Sequence, residues 1–269
     1  MEISSREFAK RIRLNSLEMV ARANASHIGS ALSIADLIAV LYGEILNVRP
    51  EYPDWNERDR FILSKGHACV AVYAALADLG FFSVENLQTY GQDYSPLMNH
   101  ICHLVPGVEF STGSLGHGLP FGVGKALYAK ANHLDWRVFV LLSDGELDEG
   151  SNWEALMFSA HHRLNNLILI IDYNKLQSLT GTQETLGLEP LVEKFKAFGA
   201  EVIEVDGHHH GEIFSALTSS HAFKPKVIVA HTIKGKGVSF MENQVIWHYR
   251  SPNNNELIDA INEVRGLYA

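Results

Sequence analysis

Apolar residues recur along this chain at two spacings. Residues 5–23 carry Phe8, Ile12, Leu17, Met19 and Val20 among charges, the spacing of one buried helix face. Ser33 stands where it could cap a second helix running to about Tyr42. Phe61-Ile62-Leu63 reads as a short strand ending at Ser64-Lys65-Gly66-His67, and Ala68 to Leu79 returns to helical spacing. The stretch 80–112 is polar and irregular, with Pro96 and Pro106. Ser114 to Ala131 keeps a helical spacing in spite of glycines at 116, 118, 122 and 124. Glycine inside a helix costs about 1 kcal/mol relative to alanine, so these predict close backbone packing or approach to a ligand.

From there strands and helices alternate. Strand 137–142 precedes helix 149–163 and strand 167–172; helix 189–198, strand 201–205, helix 211–220, strand 226–231 and a final helix over 255–266 follow. Ser151-Asn152-Trp153-Glu154 has capping-box spacing near one helix start. The strands are continuous apolar runs, as expected where helices cover both faces of a sheet. The pattern predicts a single α/β domain over 1–269: a doubly wound, mostly parallel sheet with helices on both faces. Its ligand should lie beyond the carboxyl ends of the strands.

Composition narrows the function classes. Hydrophobic residues make up 46% of the 269, enough for a full core. A net charge of −9 at pH 7 argues against broad nucleic-acid binding. No basic tract and no apolar run of spanning length occurs, and Met1-Glu2-Ile3-Ser4-Ser5-Arg6 lacks a secretion-signal profile. Cys69 and Cys102 alone provide no disulfide framework, so a cytoplasmic protein is expected. Of the fourteen histidines most must be structural or solvated. His161-His162 at a helix end suits the helix dipole. The run His208-His209-His210 does not share one face in a helix or strand, so its geometry is poor for chelating one ion.

Two polar segments end adjacent predicted strands. Ser143-Asp144-Gly145-Glu146 follows Arg137-Val138-Phe139-Val140-Leu141-Leu142, and Asp172-Tyr173-Asn174-Lys175-Leu176 follows Leu167-Ile168-Leu169-Ile170-Ile171. Two parallel neighbours would bring Asp144 and Asn174 together. Asp144 offers a carboxylate, Asn174 a side-chain carbonyl, and a backbone oxygen such as that of Leu176 could complete the set. Hard oxygen donors suit Mg²⁺ or Ca²⁺ rather than zinc, with phosphate and water filling the shell. The Asp-Gly step also presents backbone N–H groups near a helix start, which favours an anion. Alone, either segment reads as an ordinary turn; the pair points to a metal-diphosphate site.

Asp144-Gly145-Glu146-x-x-Glu149-Gly150, followed by Asn174, resembles the thiamine diphosphate signature in the form used by transketolases. Ser26-His27-Ile28-Gly29-Ser30 is similar to the family's Gly-His-Pro/Ile-Gly element. Asp59-Arg60-Phe61-Ile62-Leu63-Ser64-Lys65-Gly66-His67 is similar to its Arg-Asp-Arg-Phe-x-Leu-Ser-x-Gly-His block. Thr112-Gly113-Ser114-Leu115-Gly116-His117-Gly118, Lys234-Gly235-Lys236-Gly237-Val238-Ser239-Phe240-Met241-Glu242 and Trp247-His248 extend the likeness over nearly the whole chain. The resemblance implies the thiamine diphosphate-binding fold, in its diphosphate-binding domain. It places Asp144, Asn174 and the Leu176 backbone oxygen on the metal, and His67 and His248 beside the diphosphate and reacting centre. His27 and His100 would face the substrate's hydroxyl and carbonyl groups. Gly113, Ser114 and Leu115 would approach the cofactor rings, with Ser143, Gly145 and Glu146 at the diphosphate. Glu149 and Glu154 match acidic residues of the dimer interface that link two active sites. Histidines suit a reaction that moves protons on sugar oxygens near neutral pH.

The pyrimidine-binding and C-terminal domains of full-length transketolases have no counterpart here, and no residue can be assigned as the glutamate that activates the cofactor ring. The chain therefore resembles the N-terminal subunit of a split transketolase, expected to pair with a second polypeptide as an α2β2 heterotetramer. Its expected reaction is transfer of a two-carbon ketol unit from a ketose, phosphorylated or otherwise modified, to an aldose. Three departures bear on the substrate and the fit of the cofactor. Ser143 replaces a glycine, Asn99-His100-Ile101-Cys102 replaces Gly-His-Pro-Glu/Asp, and Ser178 replaces an apolar residue against the cofactor ring. The rivals are a component of an acyloin synthase or 2-oxo acid dehydrogenase, and a non-catalytic regulatory subunit. Nicotinamide chemistry is disfavoured, since Gly118, Gly122 and Gly124 have the wrong spacing and no preceding strand.

Overall fold

The structure, a computed structural model, describes residues 3–220 and 222–268. Met1 and Glu2, part of the amino-terminal segment considered above, lie outside the described residues. Five strands form one parallel sheet: β1 (Arg60–Leu63), β2 (Val138–Ser143), β3 (Leu167–Tyr173), β4 (Glu201–Asp206) and β5 (Lys226–His231), in the order β1-β2-β3-β5-β4. The helices are α1 (Ser5–Ala23), α2 (Ile28–Ser33), α3 (Ala35–Val40), α4 (Cys69–Asp78), α5 (Gly118–Ala131), α6 (Gly150–His161), α7 (Thr182–Thr185), α8 (Leu191–Ala197), α9 (His210–Thr218) and α10 (Asn254–Arg265).

Alternation along the strands divides the interior into two cores. Phe139, Leu141, Ile168, Ile170, Ile228 and Ala230 face a layer built from α1 to α4, α9 and α10. Val138, Val140, Leu142, Leu167, Leu169, Ile171, Val227 and Val229 face α5, α6 and α8. Both faces of the central strands are thus buried, which is why they read as continuous apolar runs. β4, at one edge of the sheet, is different and exposes Glu204 and Asp206.

The parallel pairing of β2 and β3 sets Ser143 opposite Asp172, so the two polar segments emerge side by side at the carboxyl edge, as the strand-helix-strand pattern predicts. Other expectations shift. Ser33 is the last residue of α2 rather than a cap, and its hydroxyl donates to Asp172 Oδ1 at 2.5 Å in the interior. α6 begins at Gly150 behind Glu149, with no side-chain cap. Ser151 instead donates to the Gly116 carbonyl at 2.7 Å, so the expected capping box yields to a tertiary contact. A capping box does form at α10, between Asn253 and Glu256.

The glycines of residues 114–131 separate by role. The helix starts only at Gly118, after Gly116 at φ +83°, a left-handed conformation that favours glycine. A Cβ on Gly122 would lie 2.7 Å from Val140 Cγ2, so this glycine lets α5 press onto β2, whereas Gly124 faces open space. Gly122→Ala should therefore destabilise the fold by about 1–3 kcal/mol through overpacking. Gly124→Ala should stabilise it by about 0.5–1 kcal/mol through helix propensity. Urea unfolding of the two variants checks this; equal effects would remove the packing explanation.

Candidate active site

The carboxyl ends of β1, β2 and β3 and the segment after β5 open onto one cleft. One end is lined by Ser143, Asp144, Gly145, Asn174, Leu176 and Lys234. The other is lined by His27, His67, His100, Gly113, Leu115 and His248. A larger cleft of about 820 Å³ lies at the opposite edge of β1 and β2, among Asn47, Asp59, Arg60, Trp136 and Arg137, and none of the sequence-predicted site residues lines it.

At the first end, Asp144 ties the two strand ends together. Its Oδ1 accepts from the Gly145 N–H at 2.8 Å and its Oδ2 from the Lys175 N–H at 2.5 Å. Lys175 holds φ +64°, an uncommon conformation for a residue with a side chain. This turns the chain so that Asn174 and Leu176 face the same cleft. Asn174 donates through Nδ2 to Asp172 Oδ2 at 3.1 Å, while its Oδ1 accepts from the Leu176 N–H at 3.0 Å.

Asp172 is fully buried and also accepts from Lys65, Ser33 and Thr232. Burial alone would raise its pKa. The Lys65 charge and the hydroxyl donors outweigh that and hold it below the usual carboxylate range. Asp144 goes the other way. Burial, then repulsion from Asp172, pushes its carboxyl up to about 7 despite its two N–H donors. A buried carboxylate short of positive charge, beside an amide oxygen and a backbone oxygen, fits a hard divalent cation. Among the described residues no group of three or more His, Cys, Asp or Glu side chains could hold a metal.

Two lysines flank the same end. Lys65 Nζ pairs with Asp172 and reaches the Ser30 carbonyl at 3.3 Å. Lys234 Nζ donates to the carbonyls of Leu176 at 3.2 Å and Gln177 at 3.0 Å, and lies 3.2 Å from His248 Nδ1. Burial, then Lys65, lowers its ammonium to about 8. A Cβ on Gly145 would come within 3.0 Å of the Gln177 side chain.

At the second end, the His27 ring lies 5.2 Å from that of His67, 5.7 Å from His100 and 5.0 Å from His248, centroid to centroid. His27 precedes α2 at φ +76°, and its N–H donates to the His248 carbonyl at 2.8 Å. His67 lies in a 3₁₀ turn that begins at Gly66, where a Cβ would sit 2.3 Å from the Thr112 carbonyl oxygen. His100 is held by its carbonyl, which accepts from Tyr73 Oη at 3.1 Å, and by Ile101, whose N–H donates to the Gly66 carbonyl at 3.0 Å. Gly113 lies against the His100 ring, which a Cβ would approach to 3.2 Å.

Burial lowers all four histidines. For His27 a neighbouring His100, Lys234 and Lys65 add to it, bringing it to about 4. For His248 Lys234 adds most, bringing it to about 3. His67 is held well below its ordinary value, and His100 is lowered by burial alone. All four are neutral near pH 7, each with one ring nitrogen to donate and one to accept.

The remaining predicted residues sit around this cleft rather than in it. Glu146 is buried, accepts on Oε1 from Ser64 and from the Gly116 N–H at 2.9 Å, and leaves Oε2 buried without a partner. It braces the loops that follow β1 and precede α5, and does not line the cleft. Ser114 is exposed beside Gly113 and Leu115, and Glu149 and Glu154 are exposed at the start of α6. Lys65, Lys234 and Asp172 carry no predicted role, although all three lie within or next to the quoted motifs. Their place in or beside those motifs is the one signal that marks them.

A family model described as "Transketolase, thiamine diphosphate binding domain" matches residues 4–267. One subunit of the apulose-4-phosphate transketolase of Phocaeicola vulgatus is 40% identical over 98% of this chain and 93% of that protein. The 6-deoxy-6-sulfo-D-fructose transketolase subunit SqwG of a Clostridium species is 42% identical over 92% of this chain and 91% of that protein. A crystal structure of transketolase from Campylobacter jejuni superposes with a TM-score of 0.92 and 32% identity, covering 98% of this chain. This chain spans 43% of the length of that longer transketolase. From the matched family, the subunit relatives and the cleft itself, the chain belongs to the transketolase family, as an N-terminal, thiamine diphosphate-binding subunit.

Proposed function

We propose that this chain binds the metal and diphosphate of thiamine diphosphate and, with a second subunit, transfers a two-carbon ketol unit from a ketose to an aldose. The observation that carries this reading is a single cleft with hard oxygen donors at one end and four neutral histidines at the other. Asp144, Asn174 and the Leu176 carbonyl would hold Mg²⁺ or Ca²⁺. The Gly145 turn, Ser143, Lys65 and Lys234 would receive the diphosphate, whose negative charge the two ammonium groups attract.

When bound, thiamine diphosphate supplies the electron sink for breaking the bond beside a ketose carbonyl. The histidines supply position and proton transfer. A neutral ring accepts a proton from a sugar hydroxyl at its free nitrogen or donates to a carbonyl oxygen from the other, and His248, whose Nδ1 faces the Lys234 ammonium, keeps its Nε2–H to donate. Their neutrality near pH 7 leaves both roles open. The second subunit would carry the pyrimidine-binding domain and the activating glutamate, and would cover the α6 edge with Glu149 and Glu154 in an α2β2 assembly in the cytoplasm. The subunit relatives named for apulose-4-phosphate and 6-deoxy-6-sulfo-D-fructose support a phosphorylated or otherwise modified ketose as donor.

Asp144→Asn should keep the fold, since the amide oxygen still accepts from one of the two N–H groups, and should remove a buried carboxylate. It should lose the stabilisation of about 2.7 kcal/mol that Mg²⁺ and thiamine diphosphate confer at a hundredfold excess over Kd. Thermal unfolding with and without both ligands measures it; an undiminished shift in the variant would exclude Asp144 as a ligand.

The lowered histidines also set a pH dependence. Between their folded values, about 4 for His27 and about 3 for His248, and an unfolded value of about 6.5, the unfolded chain binds more protons. The contribution of these two histidines to stability is therefore fully present above about pH 6.5 and is lost as the solution is acidified toward pH 4, opposite in sign to that of Asp144. His27→Gln and His248→Gln should flatten that fall in urea titrations. A slope as steep as that of the parent chain would contradict the assignment.

A further inference from the structure

The run His208-His209-His210 takes no part in the cleft, yet His210 is buried and His208 half-buried, and both meet one carboxylate. Asp36, on α3, is 0% exposed. Its Oδ2 accepts from Arg13 Nη2 at 2.6 Å and pairs with His208 Nδ1 at 2.7 Å. Its Oδ1 accepts from Arg13 Nη1 and Tyr268 Oη and pairs with His210 Nε2 at 3.1 Å. His209, the middle histidine, points outward and accepts from the Glu212 N–H at the start of α9. His208 and His210 thus converge on Asp36, while His209 turns away to the start of α9.

His208 does more than fill a space. Its Nε2 lies 2.8 Å from the Ile233 nitrogen, whose N–H can only donate. Nε2 must therefore carry the lone pair, which leaves the proton on Nδ1 for Asp36. The imidazole is fixed in one tautomer between a buried carboxylate and the backbone one residue before Lys234. The approach is close because of the preceding residue. Gly207 donates its N–H to the His231 carbonyl at 2.8 Å, and a Cβ there would lie 2.4 Å from Thr232 Cγ2. Lys234 in turn contacts the Leu176 and Gln177 carbonyls and the His248 ring.

We infer that His208 is a positioning residue: held by Asp36, it fixes the Ile233 backbone and so aims the Lys234 ammonium at the metal-binding loop and His248. The inference that this alters cofactor binding rests on the function proposed above; the inference that His208 anchors the segment does not. A second-layer group of this kind typically changes affinity about tenfold or more when removed, although it touches no ligand.

Two variants separate packing from anchoring. His208→Phe keeps a ring but lacks both nitrogens. His208→Asn keeps a donor for Asp36 but offers nothing at the place of Nε2. In the cofactor-free complex with the second subunit, hydrogen exchange followed by mass spectrometry should show residues 232–236 exchanging about tenfold faster in both variants. His209→Ala should leave that segment unchanged. Protection undiminished in His208→Asn would overturn the anchoring role, whether or not the complex binds cofactor.

Calorimetry with Mg²⁺ and thiamine diphosphate should then show about tenfold weaker binding in His208→Asn. Added to Lys234→Met, the same change should cost nothing more, because its effect passes through Lys234. Additive losses would overturn the link to Lys234. Failure of the parent complex to bind the cofactor would overturn the proposed function, while the exchange result still decides the anchoring role.

Discussion

The site depends on the buried ion pair between Lys65 and Asp172. Lys65 follows β1 and Asp172 closes β3, so the pair spans the end of β2, where Asp144 lies. Both side chains are at most 1% exposed, and a charge in that position is tolerated only when paired and hydrogen-bonded. The remaining acceptor positions of Asp172 are filled by Ser33, Thr232 and Asn174. One carboxylate thereby gathers α2, β1, β3 and the segment after β5. It also orients the Asn174 amide, whose Nδ2 is committed to Asp172 while its Oδ1 accepts from the Leu176 N–H.

This arrangement leaves the neighbouring carboxylate in the opposite condition. Asp172 takes the Lys65 charge, while burial, with repulsion from Asp172 added to it, raises the Asp144 carboxyl to about 7. Two carboxylates near the same strand edge thus diverge: one is structural and satisfied, the other is held short of positive charge. A divalent cation would relieve the second without disturbing the first. Lys234 occupies an intermediate place, since its ammonium reaches the Leu176 carbonyl while burial weakens its hold on the proton.

The sequence carries the strands and both polar segments openly, because central strands buried on both faces must be apolar and their ends must be polar. The histidine set is also readable, but through resemblance to a family rather than through spacing. Residues 27, 67, 100 and 248 belong to four separate loops and meet only when the sheet is assembled. What escapes the sequence is the second layer. Lys65, Lys234 and Arg13 read by default as solvated cations, and no local pattern announces that partners 107 and 23 residues away will bury two of them. Ser33 reads as a cap for the same reason: its hydroxyl would satisfy a helix end locally, but Asp172 offers it a buried partner 139 residues away. Glycine is the exception, because a glycine inside a helical pattern advertises its cost. Gly122 indeed marks a close approach, whereas Gly124 meets nothing within 4 Å, so the same signal has two outcomes that only packing separates.

The distribution of exposure argues for how the site is completed. Asp144, Lys65, Asp172 and Lys234 are buried within this chain, whereas His100 and Ser114 stand exposed at the rim, and Glu149 and Glu154 are exposed at the start of α6. A site that must exclude water during proton transfer cannot operate with its rim hydrated, since electrostatic interactions there would be screened. Covering that rim would leave the buried end unchanged and would strengthen interactions at the histidine end. The chain therefore keeps the Asp144 end dry through its own contacts, and leaves the environment of the histidine end to be set by whatever surface covers the rim. Two subunits can divide the work in this way because the two ends of the cleft differ in what assembly does to them.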